Sequence, residues 1–171
     1  MKRVRFTAFV AAIAVLAMLG VGAPGSAAGD SKKNSLKADL VGVEEVPANS
    51  TTGTGELRIR IANDDSSFDF ELTYEDLEGT TTLFAHIHLG QKGVIGGISV
   101  FLCGGGGRPA CTPTSGTFSG TVTAADVIGP TGQGIAPGEF AELLRAMREG
   151  TTYVNVHTNK HPPGEIRGQI K

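Results

Sequence analysis

The 171-residue chain has no tryptophan, two tyrosines, two cysteines and four histidines. Only 19% of its residues are charged, and 15 Lys/Arg stand against 17 Asp/Glu, a formal net charge of −2. That lack of excess positive charge excludes a general nucleic-acid binder, which presents a basic face to phosphates. The chain carries no phosphate-cradling Gly-x-x-x-x-Gly-Lys-Ser/Thr loop and no Gly-x-Ser-x-Gly nucleophile elbow. Its 25 glycines and 8 prolines follow no Gly-x-y period, which excludes collagen. A hydrophobic content of 40% excludes a disordered chain. What remains suits one turn-rich β domain.

The N-terminus reads as an address. Lys2, Arg3 and Arg5 precede an apolar run from Phe6 to Gly22, and Ala23-Pro24-Gly25-Ser26-Ala27-Ala28 follows. This order of charge, apolar stretch and small residues is that of a signal peptide, 1–28, cleaved after Ala28. An uncleaved anchor is the alternative, and the membrane then enters only through this segment. Removing its three positive charges leaves 12 basic residues against 17 acidic ones, a net of −5. Residues 29–35 read as a flexible lead-in, and 36–171 as one domain, secreted or periplasmic. Cys103 and Cys111 lie in the exported part, where an even pair predicts a disulfide that pins the Gly104–Gly107 run.

Period-two alternation dominates the rest. Leu36–Leu40, Leu57–Ile61 and Phe68–Tyr74 alternate apolar and polar residues, and Asn63-Asp64-Asp65-Ser66 is turn chemistry joining the last two. Arg58 and Arg60 are expected opposite Asp69 and Glu71. Further strands are expected over Thr82–Leu89, Gly97–Cys103, Gly116–Val122, Thr151–Thr158 and Gly164–Ile170. Phe140, Leu143, Leu144 and Met147 follow helical spacing between Pro137 and Gly150. A short turn capped by Thr123 precedes a loop over Ile128–Ala136. The reading is all-β: a Greek-key-like antiparallel sandwich of about eight strands with one short α-helix in the C-terminal half.

Chemistry concentrates in the histidines. In Phe84-Ala85-His86-Ile87-His88 the two imidazoles share one strand face, with Ala85 and Ile87 on the other. In Tyr153-Val154-Asn155-Val156-His157, Val154 and Val156 take the core side and His157 the opposite one. If the strands are neighbours, His86, His88 and His157 converge, with His161 as a further candidate; imidazole suits Cu or Zn. Gly90, Gly93, Gly96 and Gly97 beside them would allow close backbone approach and an open site. Glu165 and Arg167 share a strand face and could orient His157 or a ligand, and Glu45 could pair with Arg167. A hydrogen-bonded structural cluster and a pH switch are the competing readings of the same residues.

Leu40-Val41-Gly42-Val43-Glu44-Glu45-Val46-Pro47, Ala85–Gly93, Tyr153–Thr158 and Pro163–Gln169 resemble the opening, central and closing motifs of the CHRD (chordin-type) domain family. Lys160-His161-Pro162-Pro163 departs from the Gly-Gly turn usual there. The resemblance implies an extracellular β-sandwich of the secreted bacterial single-domain type. It implies a non-catalytic binding or structural module, with an extracellular protein or small ligand as partner. The His-x-His strand and late histidine are also similar in layout to the copper site of Cu,Zn superoxide dismutase. A mononuclear Cu or Zn protein, redox-active or not, is therefore the second reading.

Overall fold

Alternation shapes the first half of the sheet. The computed structural model describes residues 33–171, so the signal segment and residues 29–32 of the lead-in lie outside the described residues. In β1 (Ser35–Val41), β2 (Thr54–Ile61) and β3 (Ser67–Glu75) the apolar positions are buried and the intervening ones exposed. Ser35, expected in the lead-in, is already strand, paired opposite Arg60. In the β2–β3 turn the Asp64 carboxylate accepts from the Ser66 amide and hydroxyl. Arg58 does stand opposite Glu71. Its guanidinium, however, bonds Glu56, two residues along its own strand, at 2.9 Å. Asp69 accepts instead from the Thr121 hydroxyl.

Five more strands complete the fold: β4 (Thr82–Leu89), β5 (Gly97–Cys103), β6 (Gly116–Thr123), β7 (Thr152–Thr158) and β8 (Ile166–Gln169). They form one antiparallel sheet in the order β5-β4-β7-β8-β1-β2-β3-β6. The β3–β4, β5–β6 and β6–β7 connections each cross between the halves of the sheet, a Greek-key pattern. The end strands β5 and β6 approach one another, so the sheet curls into a nearly closed, sandwich-like barrel. Its interior holds Leu57, Phe68, Ile87, Leu102, Val154 and Ile166, none more than 2% exposed. The halves join at β8–β1, where a Cβ on Gly168 would fall 2.4 Å from the Asp39 carbonyl, so only glycine fits.

The helix α1 (Phe140–Arg148) buries Phe140, Leu143, Leu144 and Met147 and stacks Phe140 on Phe68. It starts three residues after Pro137, because Gly138 and Glu139 form a turn in which Glu139 accepts from the Ala136 amide. Gly150, at φ 69°, ends it. Thr123 caps a single 3-10 turn by donating to Asp126. Two further 3-10 turns, Gly42–Glu44 and Thr131–Gln133, occupy stretches without a periodic signal. Cys103 and Cys111 form a disulfide with Cα atoms 5.1 Å apart. Arg108 in the closed loop pairs with Asp126 at 3.0 Å, tying the loop to the end of β6.

Candidate metal centre

The site lies on the face of the β5-β4-β7-β8 half turned away from the apolar interior. Register places Phe101, His86, Asn155 and Arg167 side by side across these four strands, and His88 beside Tyr153. His157 pairs with Phe84. On a free sheet this face would be wet. Here the segments after β1, after β4 and between β7 and β8 cover it. His86, His88, Asn155, His157 and Arg167 are 2–8% exposed, so the glycine-rich loop beside them does not leave the site open.

His86, His88 and His157 converge, each offering a nitrogen within 4.8 Å of the other two. Backbone carbonyls set two of the tautomers. His88 donates from Nδ1 to the Gly96 carbonyl (2.8 Å) and His157 from Nδ1 to the Pro162 carbonyl (2.8 Å). Each therefore carries its lone pair on Nε2. The His88 Nε2 lies 2.6 Å from His86 Nδ1. The His157 Nε2 is buried with no hydrogen-bond partner. Gly96 can present its carbonyl because it lacks a side chain: a Cβ there would sit 1.6 Å from the Leu89 carbonyl oxygen.

Burial keeps the rings neutral. Desolvation, with His157 and His88 as like charges, pushes His86 down to about 2. Desolvation pushes His88 down to about 4, opposed by its bond to Gly96, and also lowers His157. Three unprotonated imidazoles at neutral pH are what a metal ion requires.

Aromatic rings wall the cluster. Phe101 meets His86 edge-on at 5.1 Å, and Tyr153 lies flat on His88 at 4.6 Å and 3°. The Arg167 guanidinium caps Tyr153 at 3.4 Å and donates to the Gln91 and Val94 carbonyls. The Asn155 side chain interacts with Glu45, His86 and His88, and its Oδ1 is buried with no hydrogen-bond partner. Desolvation raises the Glu45 carboxyl against the pull of the Val46 amide, Arg167 and Asn155. Glu45 thus sits on this side of the sheet near Arg167.

Glu165 and His161 face elsewhere. The Glu165 carboxylate accepts from Thr51 (2.8 Å), the Glu78 amide (2.6 Å) and Thr158 (2.5 Å), joining the β3–β4 segment to the β7–β8 turn. His161 Nε2 points at Glu78, 3.6 Å away. Tyr153 and Asn155 were legible as well: both alternate with Val154 and Val156 on the His157 face. Nothing in a residue pattern marks the Gly96 and Pro162 carbonyls as ring anchors.

A family model of the CHRD domain matches residues 36–170. The chain belongs to the CHRD-domain family. No curated protein and no solved structure matches it. The match runs from the second residue of β1 past the end of β8, so the three histidines and the residues around them are all part of this CHRD domain.

Proposed function

We propose that this CHRD domain is an exported, non-catalytic binding module whose buried site takes one Cu or Zn ion on His86, His88 and His157. The observation that carries the reading is the unpartnered, buried Nε2 of His157 beside the paired nitrogens of His86 and His88. Leaving such an atom unpaired costs about 1–3 kcal/mol, which a metal bond removes. The ligand set is His86 Nδ1, His88 Nε2 and His157 Nε2, with the Gly96 and Pro162 carbonyls holding the last two rings. Bonds of about 2.0–2.1 Å place ligand nitrogens roughly 3 Å apart or more, so His86 and His88 separate slightly on loading. His86 moves its proton from Nδ1 to Nε2 at the same time.

The cluster also supports a second reading, a structural hydrogen-bonded group, because both Nδ1 atoms are already satisfied by carbonyls. Titration of untagged, chelator-stripped protein with Cu or Zn separates the two. One equivalent bound, lost in His88→Ala and in His157→Ala, supports the metal centre; no binding to the unaltered protein leaves the structural role. The domain family and the disulfide are compatible with an extracellular location. Export is tested by N-terminal sequencing of the secreted or periplasmic protein, with a start near Gly29 expected and Met1 in a membrane fraction contradicting it.

A further inference from the structure

The three-histidine site offers an ion no negative charge. Among the described residues the cluster that could hold a metal consists of His86, His88 and His157 alone, with no carboxylate or thiolate among its members. Glu45 interacts with the Asn155 side chain, as His86 and His88 do, and with the Arg167 guanidinium. Arg167 also bears on the cluster: it sits on Tyr153, which lies on His88, and its charge acts on His88.

The surroundings are also dry. The three histidines are 4%, 7% and 8% exposed, and Phe101 and Tyr153 pack against His86 and His88. The cost of taking an ion from water into such a place grows with the square of its charge. Neutral ligands bring no opposing charge into the site, and a nearby guanidinium raises the cost further. A monovalent ion is therefore favoured over a divalent one. Coordination number points the same way. Zn2+ with three protein ligands completes its shell with a water, which needs room and polar partners. Cu(I), d10 like Zn2+, is stable with three nitrogen ligands and needs no such water.

We infer that this site is selective for Cu(I) over Zn(II) and Cu(II). The inference rests on the three-histidine centre proposed above and adds the identity and charge state of its ion. No electron transfer is required of the protein; the ion is taken up already reduced.

The test is anaerobic competition at pH 7 on chelator-stripped, untagged protein. Cu(I), kept reduced by excess ascorbate, is partitioned against a colorimetric Cu(I) chelator, and Zn(II) against a fluorescent zinc chelator. One equivalent of Cu(I) should bind at least about 1000-fold more tightly than Zn(II), a difference of about 4 kcal/mol. Cu(II) titrated without reductant should bind more weakly than Cu(I). His157→Asp, which places one negative charge in the ligand set, should narrow the Cu(I)-to-Zn(II) ratio by tenfold or more. Its folding is checked by amide dispersion, and the wild-type ratio decides alone if that variant does not fold. Zn(II) or Cu(II) binding as tightly as Cu(I), with the same dependence on His88, overturns the selectivity while the metal centre stands. Failure of all three ions to bind overturns both.

Discussion

Nε2 of His88 and Nδ1 of His86 lie 2.6 Å apart, two residues along one strand. Two lone pairs at that distance repel, so one proton sits between them in the metal-free protein. His88 already donates from Nδ1 to Gly96, which makes His86 the donor. In 15N NMR of the chelated protein, His88 and His157 should appear protonated at Nδ1, and His86 likewise. One equivalent of a d10 ion should move the His86 proton to Nε2 and shift Nε2 of His88 and His157. Unchanged imidazole resonances on loading would place the ion elsewhere.

The same burial makes the metal-free fold acid-sensitive. The folded pKa is lowered for His86 (to about 2), His88 (to about 4) and His157, against 6.5 for the free side chain. Below pH 6.5 the unfolded chain takes up protons that the folded one refuses. Stability is complete above that pH and drains as pH falls toward 4, by at most about 1.4 kcal/mol per pH unit for each histidine. Glu45 runs the other way: with its carboxyl raised, its contribution is lost as pH rises above its ordinary 4.5. Between pH 5 and 7 one carboxyl opposes three histidines, so the histidines set the sign of the slope there. Thermal unfolding of chelated protein should show Tm falling from pH 7 to pH 5, and His86→Asn should flatten the slope. A Tm independent of pH over that range would mean the rings are solvated.

The residues that made the barrel legible are those of β2 and β3, where strict alternation leaves one register and one buried face. The same alternation put His86, His88 and His157 on one side of their strands. It could not reveal that this side is covered, because the cover comes from the segments around Glu45, Gly96 and Pro162, which have no period. Nor could it separate Glu165 from the site. Glu165 and Arg167 are two residues apart, yet one turns to Thr51 and Thr158 and the other to Tyr153. Proximity in a motif does not say which partner a buried charge finds.

That separation is itself testable. Burial pushes the Glu165 carboxyl up, but donors at Thr158, the Glu78 amide, Thr51 and the Gly79 amide outweigh it and hold it below the usual range. Glu165→Gln keeps the shape and turns one acceptor into a donor facing those groups. The expected cost is about 2–3 kcal/mol, read as a lower urea midpoint at unchanged m. Metal stoichiometry should not change. A variant that lost the ion while keeping its stability would make Glu165 part of the metal centre.

The disulfide should matter locally. Cys103 is fully buried at the end of β5, and its partner Cys111 closes a loop of only a few residues that includes Gly104, Gly106 and Gly107 at positive φ. A short loop loses little chain entropy in the unfolded state, so the bond contributes about 2–3 kcal/mol. The loop has a second tether in the Arg108–Asp126 ion pair, but that pair is partly exposed and worth less. Cys103→Ala with Cys111→Ala should therefore lower Tm by several degrees while the sheet persists. Hydrogen exchange locates the effect: amides of residues 104–110 should exchange faster, and those of β2, β3 and β7 should keep their protection. If instead the central strands lose protection with the loop, the bond holds the closure of the barrel at β5 and β6.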